Sequence, residues 1–408
     1  MKTSNRLKRY FSQQLALRFY NFRLYIVGQF LSVTGTRIQS IAMIWLAYRL
    51  TNSPFMLGLI VFCEQIPIFV LAPFAGVFAD HWNKQKALVG IELLALLQAA
   101  TLGTLTLTNH IEVWHLVVLS LLLGTINSFE VPIRQSFVVD MVDRNKNALS
   151  NAIAFNSTIF NLSRIIGPSL AGILIGAIGE GWCFVINAGS YTFVALSILL
   201  MRVQHKEYVP ISRKKILTEL KVGVSYIYRQ DVMWYLLIIL MIVSFTRSSF
   251  RALSPVFAKE ILAGGAEIFG FLISSAGVGA ILGAIFLTNG FSDKMLRKIV
   301  SYTGLILASS LIFIGFTHWL WLALIFMALG GLSQMVHTTS TNTLLQLYTD
   351  DDKRGRVMSF YTVCLQGTTP FGGLVAGSLA SLLGVSWAYV LMGAMGFVGI
   401  LLLRRKIK

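Results

Sequence analysis

Residues 76–88 read "GVFADHWNKQKAL". An apolar run ends at this stretch and another begins at once behind it. Asp80, His81, Lys84 and Lys86 fall within seven residues of a chain that is only 12% charged and 55% hydrophobic. A soluble domain carries about 25% charge, so this chain of 408 residues lacks the polar material to cover a soluble surface. The stretch therefore reads as a short turn between two membrane-spanning helices. The same punctuation recurs along the chain and divides it into apolar segments.

A helix needs roughly 20 apolar residues to cross a bilayer. Twelve segments qualify, at about 22–49, 55–79, 86–108, 113–140, 148–178, 181–202, 232–260, 267–289, 297–316, 318–347, 355–383 and 385–403. Backbone groups inside the hydrocarbon must bond within their own segment, so each is expected to be helical. The first residues, "MKTSNRLKRYFSQQLALRFY", are basic and amphipathic and have no long apolar core. They read as a cytoplasmic segment and not as a signal peptide. The expected organisation is a cytoplasmic segment 1–21, a six-helix bundle 22–202, a cytoplasmic linker 203–231, a second bundle 232–403 and a tail 404–408. The linker is expected to form an amphipathic helix along the inner face.

The net charge of +17 would suggest nucleic acid in a soluble protein. Here topology accounts for it. Of 34 lysines and arginines, 27 fall in segments facing the same side as the N-terminus. Only Arg49 and Lys259 lie near the other side, and Arg37, Arg134, Arg164, Arg247 and Arg251 lie inside spans. The positive-inside rule then puts both termini in the cytoplasm. The three cysteines, Cys63, Cys183 and Cys364, all lie in apolar segments without disulfide or metal spacing, so no cofactor or metal is expected.

The opening stretch has an echo. "NGFSDKMLRK" at 289–298 aligns with "GVFADHWNKQ" at a shift of 213, bringing Phe78 onto Phe291, Asp80 onto Asp293 and Lys84 onto Arg297. "RIIGPSLAGILIG" before residue 177 has a counterpart in "TPFGGLVAGSLAS" at 369–381. The chain reads as six helices repeated, and such repeats place a binding site at their interface near the midplane.

Charges inside spans are costly and mark function by default. Polar stripes at helical spacing run through Gln29, Thr36, Arg37 and Ser40; through Asn127, Glu130 and Arg134; through Ser157, Asn161, Arg164 and Pro168; through Ser244, Arg247 and Arg251; and through Gln334, His337 and Thr341. One reading is a hydrated cavity lined by Gln29, Thr36, Arg37, Asn161, Arg164, Arg247, Arg251, Gln334 and His337. The other is that some of these groups pair with each other or reach an interface. Glu130 and Arg134 have the i,i+4 order that suits an ion pair. Five in-span arginines face three in-span acids, Glu64, Glu92 and Glu130. A cavity with that balance favours an anionic small molecule. Glu64 and Glu130 are the candidates for proton coupling. The six histidines are scattered, so a membrane enzyme has no reactive cluster. A channel would show a filter loop or repeated charged rings, which are not visible.

With these features the chain resembles the major facilitator superfamily. Gly76, Phe78, Ala79, Asp80 and Lys84 match its loop signature between helices 2 and 3. "NAIAFNSTIFNLSRIIGPSLAG" and "RGRVMSFY" are similar to the bacterial branch of enterobactin exporters and macrolide efflux proteins. The resemblance implies an all-α integral membrane fold of twelve helices in two six-helix pseudo-symmetric bundles. It implies a latch formed by Gly76, Asp80, Lys84, Asp140, Asp293 and Arg356, with Asp80 facing Gly355 and Arg356 and Lys84 reaching Asp140. It implies shared roles for Glu130, Pro132, Arg134 and Arg164, and an antiport motif at Gly167, Pro168 and Gly172. It also implies a monomer. The expected activity is proton-coupled export of a small amphipathic molecule, anionic and siderophore-like, across a bacterial inner membrane. A multidrug or macrolide pump, a lysophospholipid or lipid flippase, and a non-transporting membrane sensor are the alternatives.

Overall fold

A computed structural model describes residues 15–142, 146–203, 228, 230–350 and 353–406. In the quoted stretch, a helix ends at His81 and the next starts at Lys84. Asn83 adopts an extended conformation, φ −62° and ψ 102°, and its side chain accepts a hydrogen bond from the Lys86 backbone N–H at 3.1 Å. An N-cap of this kind suits asparagine.

In chain order the helices are α1 (Tyr20–Thr51), α2 (Pro54–His81), α3 (Lys84–Leu107), α4 (Val113–Met141), α5 (Lys146–Ile178), α6 (Glu180–Leu199), α7 (Asp231–Val256), α8 (Ala266–Leu287), α9 (Asp293–Phe316), α10 (Leu320–Tyr348), α11 (Arg354–Gly367), α12 (Thr369–Leu383) and α13 (Val385–Leu403). A π-turn, Phe257–Ile261, continues α7. The described residues contain no strand. The end of the bundle that carries the turn between α2 and α3 is hereafter the near end, and the opposite end the far end.

Among the described residues, ten helices are long and apolar enough to cross a membrane by length and composition alone. Two expected spans fall outside that set for physical reasons. The middle of α1 carries Gln29, Thr34, Thr36, Arg37, Gln39 and Ser40, which lowers its hydropathy because much of it faces protein instead of lipid. The expected single helix at 355–383 is interrupted at Thr368. Pro370 has no N–H to give the preceding turn, so the ladder breaks there. Counted with that break, α11 and α12 form one span, and the spans number twelve.

The two halves pack alike. In the first, α2 lies on α4, α3 on α4 and α6, and α1 on α5 and α6. In the second, α8 lies on α10, α9 on α10 and α13, and α7 on α12 and α13. Across the halves, α5 packs on α8 and α2 on α12. The α5–α6 turn has Gly179 at φ 84°, ψ 169°, and the equivalent turn before α13 has Gly384 at φ 86°, ψ 159°. Only glycine reaches that region without strain. The repeat is thus reproduced down to two backbone dihedrals. The fold is an all-α integral membrane fold of two pseudo-symmetric six-helix bundles.

Tryptophan marks the membrane borders. Trp114, Trp182, Trp319, Trp321 and Trp387 are exposed around the far end, and Trp82 and Trp234 around the near end. Indole rings favour the two interfaces of a bilayer. Between these belts Leu97, Phe193, Ile285 and Phe313 face outward, as lipid contact requires.

Candidate functional site

A cavity of about 570 Å³ lies between the bundles. Thr36, Arg37 and Ser40 reach it from α1, Glu64 from α2, and Glu130 and Arg134 from α4. Asn161, Arg164 and Pro168 come from α5, Arg247 and Arg251 from α7, and Gln334 from α10. Apolar walls are supplied by Ile41, Ile68, Phe160 and Phe250 among others. Most of the sequence-predicted cavity residues are therefore brought together. Two are not. Gln29 is buried within the first bundle with its Nε2 unbonded. His337 is fully buried with its Nδ1 3.0 Å from the Val300 carbonyl oxygen on α9. His337 lies three residues after Gln334 on α10, yet its ring turns to α9 and away from the cavity.

The five arginines divide into two kinds. Arg134 is paired with Glu130 and lies over the Phe160 ring at 5.1 Å. Arg251 is paired with Glu64 at 2.6 Å and also donates to Ser40 Oγ. That second pair joins α7 to α1 and α2, and hence one bundle to the other. Arg37, Arg164 and Arg247 form no ion pair among the described residues. Arg247 donates to Thr369 Oγ1 at 3.2 Å, and its Nε has no partner. Arg164 lies within electrostatic reach of both Arg37 and Arg247. Three guanidinium groups from α1, α5 and α7 thus line one cavity without an ion-pair partner among the described residues, with Glu64 of the same cavity within electrostatic reach of Arg37.

The α5 motif works through close packing. A Cβ on Gly167 would sit 2.5 Å from the Arg37 Cβ, so the missing side chain makes room for the arginine stem. A Cβ on Gly172 would meet the Ala266 carbonyl oxygen at 2.7 Å, and the Pro168 carbonyl faces Gly270 of α8. Small residues here let the two bundles approach.

Further bonds cross between the halves toward the far end. Tyr48 Oη donates to Glu260 Oε1 at 2.6 Å, and Lys259 Nζ lies 5.2 Å from the Tyr48 ring centre. Trp45 stacks on Phe269 at 6.2 Å. Ser169 donates to Ser274 at 2.7 Å. At the near end, Lys84 Nζ lies 3.0 Å from Asp140 Oδ2. Asp293 is exposed at the start of α9 and bonds Tyr348 of the same bundle. The side chains of Gly76, Asp80 and Arg356 lie outside the described residues.

Sequence reasoning missed a buried polar system inside the first bundle. Asn187 Nδ2 donates to Gln39 Oε1 at 2.7 Å, Gln39 Nε2 to Gln98 Oε1 at 2.8 Å, and Gln98 Nε2 to the Leu119 carbonyl at 3.1 Å. This chain ties α1, α3, α4 and α6 together. Glu92, an acid in a span, had an evident sequence signal but no obvious partner. Tyr48 and Glu260 gave none, because they are 212 residues apart.

Residues 12–408 match the family model described as transmembrane secretion effector. A staphyloferrin A transporter of Staphylococcus aureus is 26% identical over 380 residues, covering 91% of this chain and 92% of its own. The multidrug efflux pump Tap of Mycolicibacterium fortuitum is 22% identical over 359 residues, covering 86% and 87%. Among solved structures, a bacterial homologue of the human lysosomal transporter Spinster, inward-facing and unoccupied, has a TM-score of 0.76 at 13% identity, covering 95% of this chain and 98% of that one. At that identity the likeness is one of fold.

Proposed function

This chain belongs to the transmembrane secretion effector family of major facilitator transporters, and we propose that it is a secondary active exporter of a small, amphipathic, anionic molecule of the siderophore kind. It works in a bacterial inner membrane, as a monomer, by alternating access in exchange for protons. The observation that carries this reading is the group of three guanidiniums, Arg37, Arg164 and Arg247, which line a cavity between the bundles and form no ion pair among the described residues. Unpaired cations facing such a space repel a cationic drug and attract an anion. The apolar walls suit the rest of an amphipathic molecule. A relative that transports staphyloferrin A supports the choice of substrate class.

We read the structure as a state closed toward the far end, on the strength of two contacts between the bundles. Arg251–Glu64 and Tyr48–Glu260 hold the bundles together there. An anionic group bound near Arg251 competes with Glu64 for the guanidinium. Occupancy then weakens the seal on the side through which the substrate leaves. Protons return through Glu64 and Glu130, which both face the cavity. The Lys84–Asp140 contact would belong to the opposite latch.

The test is an untargeted comparison of exported metabolites from cells with and without the protein. Loss of a carboxylate- or catecholate-bearing chelator from the medium is expected, with drug tolerance unchanged. Drug sensitivity without that loss would favour the efflux-pump reading instead. Arg37→Ala and Arg247→Ala should each weaken binding of the exported anion. Hydrogen bonds to charged groups contribute about 1.5–3 kcal/mol, so each loss corresponds to roughly 10- to 100-fold in Kd. Unchanged affinity in both variants would remove these residues from the substrate site.

A further inference from the structure

Glu92 has no place in the mechanism above, yet it is among the most unusual side chains in the molecule. It sits on α3, away from the cavity lining, and is 2% exposed. Its Oε2 has no hydrogen-bond partner. The charged groups acting on it are Glu130 and Arg134 of α4. Tyr191 of α6 and Tyr25 of α1 are part of the same electrostatic cluster. Both phenols are engaged elsewhere. Tyr25 donates to Asn156 Oδ1 at 3.2 Å, and Tyr191 shares a hydrogen bond with Thr36 at 3.1 Å.

The cluster therefore contains two carboxyl groups and one guanidinium. Arg134 is already bonded to Glu130. An ionised Glu92 would be a buried carboxylate with an unbonded oxygen, within electrostatic reach of a second carboxylate. Burying such a charge costs several kcal/mol, and the group neutralises instead. Two like charges sharing a site hold one proton between them.

We propose that Glu92 and Glu130 share a single exchangeable proton over the one guanidinium of Arg134. Glu92 stores it behind the cavity wall, and Glu130 exchanges it with the cavity. When the proton moves, an O–H bond at Glu92 breaks and one at Glu130 forms. Arg134 then turns from Glu130 to the newly ionised Glu92, so no step leaves an unpaired buried charge. Glu130 lines the cavity and Glu92 does not, which fixes the direction of the relay. The role of this proton in the transport cycle rests on the proton-exchange reading above, but its presence does not.

Infrared difference spectroscopy of the full chain in liposomes, with exchange into D2O as the probe, reads the proton without any substrate. At neutral pH the wild-type protein should show the carbonyl stretch of a protonated carboxyl group, shifting in D2O. Glu92→Gln should abolish it, because Glu130 stays paired with Arg134. Glu130→Gln should abolish it too, because Glu92 then takes Arg134 and ionises. Glu180→Gln, which alters a buried carboxylate bound to Arg49 at the far end, should leave the band in place. A wild-type protein without the band, or a band that survives Glu92→Gln, overturns the proposal. Survival in Glu130→Gln alone also overturns it, since Glu92 would then hold a private proton. Export that ignores an imposed pH gradient would instead defeat the antiport reading and leave these spectra unchanged.

Discussion

Arg251→Ala is expected to open the far end of the molecule. The side chain bonds Glu64 at 2.6 Å and Ser40 across the bundle interface. Its loss leaves Glu64, which is buried, without its ion-pair partner. Removing one partner of a fully buried pair costs about 3–5 kcal/mol. The arginine here is 28% exposed to the cavity, so about 2–3 kcal/mol is the appropriate range after solvent screening. That corresponds to roughly 30- to 150-fold in the balance between the far-sealed and far-open states. Spin labels at Thr108 and Leu383, exposed at the far end of opposite bundles, would report it. Their distance distribution should shift to longer separations in Arg251→Ala. Glu64→Gln should move it the same way by less, because the neutral amide needs no counter-charge. Exchanging the two residues, as Glu64→Arg with Arg251→Glu, should restore much of the short component. An unchanged distribution in Arg251→Ala would show that the pair does not hold the bundles together.

This pair also shows where reading the sequence stops. Glu64 and Arg251 each stand out as a charge in an apolar run. Nothing in the sequence says that they meet across 187 positions. The twelve spans, their alternation and the repeat were legible because a bilayer imposes a length and a polarity on every helix. The polar stripes were legible because helical spacing puts Arg247 and Arg251, or Asn161 and Arg164, on one side. Periodicity gives the stripe without its direction. Gln334 and His337 differ by one helical step; one reaches the cavity and the other bonds a carbonyl of α9. Gln29 stands on the same helix as Arg37 but below the cavity, inside its own bundle. Both environments exclude lipid, so both tolerate polar side chains, and composition cannot separate them. The break at Thr368 was readable in principle from Pro370, although a strongly apolar segment outweighs one proline in any count of spans.

Gly331→Val is expected to prevent the second bundle from assembling. Helices α8 and α10 touch backbone to backbone at two reciprocal points. A Cβ on Gly331 would overlap the Ala276 carbonyl, and a Cβ on Gly279 would overlap the Ala328 carbonyl. Neither obstacle is a flexible side-chain end that could swing aside. In lipid the hydrophobic effect gives helices little reason to associate, so close van der Waals contact has to do so. A branched side chain at this crossing would force the axes apart and break both contacts together. Overpacking a tight core costs about 1–3 kcal/mol for modest insertions; an isopropyl group against backbone belongs at or above the top of that range. The consequence extends to the site, because α10 carries Gln334 and Gly331 into the cavity wall and α8 carries Gly277. Gly331→Val should give little monodisperse protein in detergent, or a lowered melting temperature where any is recovered. Gly331→Ala should fall between it and wild type. Gly90→Ala and Gly189→Ala, where a Cβ meets nothing within 4 Å, should be neutral or slightly stabilising, since alanine is favoured over glycine in a helix by about 1 kcal/mol. A Gly331→Val protein that melts with wild type would mean that the α8–α10 crossing is not the close contact that orders the second bundle.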